Sequence, residues 1–308
     1  MKFEDVARMV GNTPHVRVPL AGSEGIRLWV KMEGFNPTGS IKDRSCLFLI
    51  QDALKRGHLT RGKVLLDASS GNMASAIAYF GRCLGYEVVV VANSKLTKEK
   101  REFIEFFGAT LHLVGDFTIQ GNHFCADLAA KEPERYCFLD QLHNWSNPQA
   151  HVETTGPEII ADFPEVAVVV GSLGSGGSLL GTAQYLKKVN SKINVAAVQS
   201  ASGTKLPGTG AFDDGDYITP FIRKGFDGGF FDRQVKIHFT DAVDGMMALR
   251  ERGIFVGLQT GGVVSAALAT ARELGVRGDV VAISGDSGWK NMEALRNAAA
   301  LSRKDLSV

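Results

Sequence analysis

No run of apolar residues in this sequence is long enough to span a bilayer; the longest, 88–92 and 166–170, have the length of a buried strand. There is no basic block and no basic stripe interleaved with aromatics. Formal net charge is only +1, so neither a nucleic-acid partner nor a membrane is expected. Cysteine is scarce. Cys46, Cys83, Cys125 and Cys137 form no CxxC pair, and no His/Cys cluster has zinc spacing, which argues against a disulfide framework and against a metal site. The four are expected as small core residues, which fits a reducing, cytoplasmic setting. Residues 1–8 carry acids and no apolar segment of signal-peptide type, so no export signal is expected. No repeat of fixed period and no low-complexity tract occurs.

What the sequence has in excess is glycine, 35 of 308 residues, against an average near about 7%. The excess falls in short loops after strands, where ligands are commonly bound. Residues 64–66, 87–92, 111–114, 166–170, 193–198, 235–239 and 279–283 read as strands. Helical spacing fills 41–55, 73–84, 98–107, 119–130, 149–162, 241–251 and 263–274, with a last helix running to about 301. Strands alternating with helices imply right-handed crossovers and parallel sheets. The length allows two packed domains, and the loss of periodicity over 141–148 marks a domain crossing. The expected fold is therefore α/β. Residues 200–234 are too long for a simple connection and read as a functional loop or an insertion beside a site.

Three loops carry chemical meaning. In Asn36-Pro-Thr-Gly-Ser-Ile-Lys42-Asp-Arg44, turn residues run straight into a helical pattern, which puts Lys42 in the first helical turn. The positive end of the helix repels an ammonium there. That field, with burial, lowers the lysine pKa and frees an amine for Schiff-base chemistry; the alternative is a solvated lysine at a loop–helix junction. Gly174-Ser-Gly-Gly-Ser178 follows a buried strand and opens a helix, a cradle for phosphate or simply tight packing. It is not a P-loop, because no Lys-Ser/Thr follows, and not a clean dinucleotide fingerprint. Ser69-Ser-Gly-Asn72 is a polar strand–helix turn able to hold a carboxylate or merely to cap its helix. Thr154-Thr-Gly-Pro-Glu158 places Gly and Pro inside a helical stretch, a departure from good helix formation that suggests a site. An imine-forming lysine, a phosphate anchor and a carboxylate anchor in one α/β chain are what pyridoxal phosphate chemistry on an amino acid requires.

The sequence resembles the cysteine synthase and cystathionine β-synthase family of fold-type II pyridoxal-phosphate enzymes. The likeness runs in order through Gly11-Asn-Thr-Pro14, Lys31-Met-Glu33, the Asn36–Arg44 stretch, Ser70-Gly-Asn72, Gly108-Ala109, Asn147-Pro148, Thr155-Gly-Pro-Glu-Ile159, Gly174–Ser178 and Gly257 to Gly261. The resemblance implies two α/β domains of the tryptophan-synthase-β kind: residues 1–38 with 142–308 as the larger, cofactor-binding domain, and 39–141 as a smaller, mobile, substrate-binding one. It implies pyridoxal 5'-phosphate on Lys42, with Asn72 at the ring hydroxyl and Gly174, Ser175, Gly176, Gly177 and Ser178 at the phosphate. Ser69, Ser70 and Asn72 would take the substrate carboxylate, and a homodimer in the cytoplasm is implied. The implied reaction is β-replacement on an activated L-serine, O-acetyl or O-phospho, through an α-aminoacrylate, giving cysteine with sulfide.

The sequence also departs from that family. Met73-Ala74 stands where Thr-Gly is usual, so Met73 is expected to form an apolar wall of the substrate site. The ring-nitrogen position falls on Gln259, with Thr260 the other candidate. Both are neutral, so the nitrogen need not be protonated. Residues 200–234 hold no clear copy of the family's glycine-rich loop; Leu206-Pro-Gly-Thr-Gly210 is the nearest piece. These departures admit an amine nucleophile giving a 2,3-diaminopropionate-type product, a specialised thiol, a serine/threonine dehydratase-type lyase, or a cofactor-binding protein without turnover.

Overall fold

The computed structural model describes residues 2, 4–20 and 22–304; Met1 and Phe3 of the N-terminal reading lie outside the described residues. Asp5 caps a short 3-10 helix, Val6–Met9, by accepting from the amides of Ala7 and Arg8. Strands β1 (His15–Arg17) and β2 (Ile26–Met32) follow, then helix α1 (Lys42–Lys55). The chain next builds β3 (Val64–Ala68), α2 (Asn72–Cys83), β4 (Glu87–Ala92), α3 (Lys98–Phe106), β5 (Thr110–Leu113), α4 (Thr118–Lys131) and β6 (Tyr136–Phe138). It continues through α5 (Ser146–Glu153), α6 (Thr155–Asp162), β7 (Val168–Ser172), α7 (Gly177–Val189), β8 (Asn194–Ser200), α8 (Pro220–Asp227) and β9 (Arg233–Ile237). Helices α9 (Phe239–Arg250) and α10 (Leu258–Glu273), strand β10 (Gly278–Ser284) and α11 (Met292–Lys304) complete it.

Two sheets result. One has the order β1-β2-β10-β7-β8-β9, the other β5-β4-β3-β6. Every neighbouring pair is parallel except β1 with β2. The central strands are apolar on both faces, as parallel sheets covered by helices require; all five residues of β3 are buried. Apolar side chains of α1, among them Cys46, Leu49 and Ile50, pack with Met73, Ile77 and Phe80 of α2 beside the four-stranded sheet. The six-stranded sheet has a core on each face, one built around α10 and the other around α7 and α8.

Four features differ from the sequence reading. The expected helix over 149–162 is two helices, broken at Thr154 (φ −126°, ψ −70°), where the Thr154 hydroxyl donates to Ala150 O and Pro157 has no amide to give. The 200–234 region contains α8, started by a Thr219 cap and Pro220 and buried through Phe221 and Ile222. The helix expected over 263–274 starts earlier, because α10 begins at Leu258. Cys83 is exposed, unlike the other three cysteines, since it sits in the last turn of α2 on the solvent side.

Candidate active site

Polar side chains meet in a cleft at the carboxyl ends of the strands, the usual ligand crevice of parallel α/β sheets. Four sequence segments converge on it. The chain before α1 is pinned to the end of β10: Ser40 bridges Asp286, and the Ile41 amide donates to Gly285 O at 3.0 Å. This fixes Lys42, the first residue of α1, at the cleft wall. Burial lowers its pKa to about 8. Beside it, Asp43 is pushed up to about 6 by burial, although it accepts from the Thr38 amide at 2.7 Å and from the Thr38 hydroxyl.

The loop after β7 brings Gly174 and Ser178 into the wall. Gly176 caps α7 at φ +82°, a left-handed conformation suited to glycine. A Cβ there would lie 2.5 Å from Ile222, and one on Gly177 would lie 2.5 Å from Oδ1 of Asn147. The first amides of α7 have no partner within the helix, so the loop offers donors of phosphate-binding type. Asn147 Nδ2 steadies it through Ser175 Oγ at 3.3 Å, and Thr219 Oγ1 donates to Ser175 O at 2.6 Å. Asn147 in turn accepts from Ser45 at 2.8 Å, and Ser45 contacts His151 at 2.9 Å. The phosphate loop and the helix of Lys42 are thus held by one buried polar chain.

The turn after β3 brings Asn72 to the cleft. Its Nδ2 donates to Asp286 Oδ2 at 2.8 Å, while its Oδ1 is buried without a partner. Within the same turn, Ser69 Oγ accepts from the Gly71 amide at 3.1 Å and Ser70 Oγ from the Asn93 amide at 2.6 Å. At the start of α10, Gln259 also lines the cleft. Its Nε2 donates to Ser172 Oγ and, at 3.2 Å, to Gly208 O. Thr260 is fully buried and bonded to Ser284 Oγ at 2.9 Å, away from the lining.

Five of the residues named from the sequence therefore meet in the cleft wall: Lys42, Asn72, Gly174, Ser178 and Gln259. Ser175, Gly176 and Gly177 stand behind them as the frame of the loop. Ser69 and Ser70 are turned to the backbone. Met73, expected as a wall of the site, is 1% exposed and packs from α2 with α1 in the core of the smaller sheet. Thr154–Glu158 is explained by packing after all: Gly156 faces Tyr185, where a Cβ would lie 2.6 Å away. Glu158 bonds Arg44 at 2.6 and 2.7 Å and pairs with Lys31 at 2.7 Å. Residues the sequence reading missed are Ser172, which ends β7 in the cleft wall, and Asp286, which holds Asn72. The Gly285-Asp-Ser-Gly288 turn, legible as a loop, was the signal for the second.

The site fits pyridoxal phosphate on its own geometry. A lysine with a lowered pKa, a glycine cradle that a Cβ would fill, a helix start and a buried unpartnered acceptor surround one cleft. Among the described residues no cluster of His, Cys, Asp or Glu could hold a metal ion, and no helix is long and apolar enough to cross a membrane. The pattern of the family described as "Pyridoxal-phosphate dependent enzyme" matches residues 6–286, and the chain belongs to that family. It is 37% identical to a cysteine synthase of Aquifex aeolicus over 301 residues, 93% of this chain and 90% of that one. Among solved structures, a cysteine synthase of Entamoeba histolytica superposes with a TM-score of 0.85 at 27% identity, covering 95% of this chain and 90% of that one. An O-ureido-L-serine synthase gives 0.84 at 29% identity, covering 94% and 93%. The protein is a pyridoxal-phosphate enzyme of two-sheet α/β architecture acting on small molecules.

Proposed function

We propose that the protein carries out β-replacement on an activated L-serine, its O-acetyl or O-phospho ester, and makes cysteine with sulfide. The observation that carries this reading is Lys42, an amine of pKa about 8 at the wall of a cleft that also holds a phosphate-type cradle. The cysteine synthases similar to this chain over nine-tenths of its length support it. Lys42 would hold the cofactor covalently, the Gly174–Ser178 loop its phosphate, Asn72 its ring hydroxyl and Gln259 its ring nitrogen. When bound, the cofactor supplies the electron sink that makes the substrate's Cα–H acidic and its β-substituent a leaving group. The Nζ of Lys42, once free, is neutral enough near pH 8 to accept that proton. Gln259 is uncharged and places no negative charge at the ring nitrogen, which favours rapid β-elimination over a long-lived carbanion. The Ser69–Asn72 turn would bind the carboxylate, with residues 39–141 moving as a smaller domain against 1–38 and 142–308.

The test is direct. Protein reconstituted with pyridoxal phosphate is given O-acetylserine or O-phosphoserine with sulfide, and cysteine is measured. Cysteine from neither ester overturns the proposal. A second reading uses an amine nucleophile and gives a 2,3-diaminopropionate-type product. The structural likeness to an O-ureido-L-serine synthase, whose named product is not cysteine, favours testing it. Replacing sulfide with candidate amines separates the two, and steady pyruvate release marks a lyase. We take the working form to be a cytoplasmic homodimer. Trp289, 72% exposed and stacked edge-on against Phe255, offers apolar area for such a contact, and sedimentation measures it.

A further inference from the structure

Lys100 and Asp286 bear opposite charges on elements of the two different sheets. Lys100 stands in the first turn of α3, which starts after the carboxyl end of β4. Because β3 and β4 run parallel, that end is the same sheet edge that carries the Ser69–Asn72 turn. Asp286 follows β10 of the six-stranded sheet. Lys100 is only 9% exposed, yet it makes no hydrogen bond and no ion pair among the described residues. Burial lowers its pKa, and the charge of Asp286 is the strongest influence opposing this, ahead of Glu99. Asp286 is 2% exposed. Its Oδ2 accepts from Asn72 Nδ2 at 2.8 Å and Asn291 Nδ2 at 3.0 Å, while its Oδ1 is buried without a partner. Contact between the two elements is direct. Lys290, in the 3-10 turn over 288–291, holds its Nζ 5.0 Å from the ring centre of Phe103. Phe103 lies three residues along α3 from Lys100, on the same helix face. A buried ammonium without an acceptor and a buried carboxylate oxygen without a donor are each costly, and each group is what the other lacks.

We propose that Lys100 and Asp286 form the latch of this cleft, apart in the present structure and paired when the smaller unit closes on substrate. The latch rests on the reading above, in which residues 39–141 move against 1–38 and 142–308. An inward shift of the sheet edge at the ends of β3 and β4 carries the first turn of α3 with it, toward residues 286–291. The ammonium of Lys100 then gains a charge-assisted partner, and the cost of burying it alone is relieved. Lys290 belongs to the same segment as Asp286 and already donates to Thr38 O at 2.8 Å, so closure brings it no new partner. Lys100 touches no reacting atom and is a positioning residue. It makes the closed form more populated, and any ligand that binds the closed form binds tighter by that factor.

The experiment separates stability from ligand binding. Lys100→Met removes the charge and keeps an apolar stem. In cofactor-free protein its urea midpoint is expected to hold or rise, because an unpaired buried ammonium is gone. In protein reconstituted with pyridoxal phosphate, the L-serine concentration that half-saturates the change in the visible band is expected to rise about tenfold. The slowing of amide exchange over residues 98–106 by L-serine is expected to disappear with it. Lys100→Arg, which keeps the charge, should restore both. Asp286→Asn should also weaken L-serine binding, and adding Lys100→Met to it should change the half-saturating concentration by less than about twofold more. If Lys100→Met binds L-serine as tightly as the unsubstituted protein, the latch is overturned. It is overturned too if the two substitutions multiply in the double variant, or if the urea midpoint falls and Lys100→Arg rescues nothing. Lys100→Gln makes the same comparison should the Met variant not fold. No visible band in the unsubstituted protein is a different failure: it overturns the reading of the cleft as a cofactor site, and the latch with it.

Discussion

Arg44 and Glu33 face each other with neither side chain exposed, the Arg44 Nε–Glu33 Oε2 distance being 2.8 Å. Arg44 also bonds Glu158, and Thr13 donates to Glu33 at 2.6 Å. Burial would lower the Arg44 pKa, but the two glutamates outweigh it and hold the guanidinium charged. Removing one partner of such a pair strands the other charge in the interior. Glu33→Ala is expected to lose about 3–5 kcal/mol of stability, read as a fall in the urea midpoint. A loss below about 1 kcal/mol would mean that Glu158 alone satisfies Arg44.

Acid should dismantle the same region. Glu158 is brought down from 4.5 to about 2; burial would raise it, but hydrogen bonds and charge from Arg44 win. A depressed carboxylate adds stability that is complete above the unfolded value and is lost as pH falls through the folded one. The window is therefore about pH 4.5 down to 2, and the contribution is about 3 kcal/mol at neutral pH. His151 works in the same direction from a higher pH. Burial first, then Arg44, brings it from 6.5 to about 3, so an unfolded chain takes up a proton that the folded one refuses. Stability should decline from about pH 6.5 downward, and His151→Gln should flatten the upper part of the curve, as checked by denaturation at stepped pH.

Lys42 has its own pH signature. With burial placing its pKa near 8, the cofactor-free protein should react with an amine-directed acylating reagent at Lys42 with a midpoint near pH 8, while surface lysines follow near about 10.4. Peptide mapping at several pH values reads both. Lys42→Ala should fold normally, bind no cofactor covalently after borohydride and stay colourless on reconstitution. Retained yellow colour in that variant would move the imine to another lysine.

Much of this was legible in the sequence because it rests on local rules. Turn residues followed by a 3.6-residue period placed Lys42 at a helix start, and apolar strands ending in glycine placed the Gly174–Ser178 cradle. What escaped is long-range. Strand β6 is only three residues long, and its pairing with β3 stabilises it more than its own pattern does. Asp286 meets Asn72 across 214 residues of sequence, a contact that no periodicity encodes. Gly156 and Pro157 looked like site residues because their conflict with helix formation was visible, while the Tyr185 side chain that requires a glycine at 156 was not.

Met73 supplies a prediction by the same reasoning. Being 1% exposed and packed from α2 into the core shared with α1, it should respond to substitution as a core residue. Met73→Thr shortens the side chain and buries a hydroxyl, so about 2–4 kcal/mol of stability should be lost. The ratio of rates with O-acetylserine and O-phosphoserine should stay as it was. A changed ratio with unchanged stability would return Met73 to the substrate site.

The last prediction concerns the Ser69–Asn72 turn. It belongs to the four-stranded sheet, while the Gly174–Ser178 loop belongs to the six-stranded one. A substrate held at Lys42 and by its carboxylate at the turn would bridge the two. The serine hydroxyls accept from the Gly71 and Asn93 amides and keep their own protons to donate, so a carboxylate that the turn reaches by shifting inward gains charge-assisted hydrogen bonds. A ligand that binds the closed form better draws the population toward it, and closure excludes water from the reacting carbon. L-Serine, which keeps the carboxylate but has a poor leaving group, should therefore slow amide exchange over residues 69–83 in the reconstituted protein. Ethanolamine, which lacks the carboxylate, should not. Hydrogen exchange followed by mass spectrometry makes the comparison, and equal protection by both ligands would remove the turn from carboxylate binding.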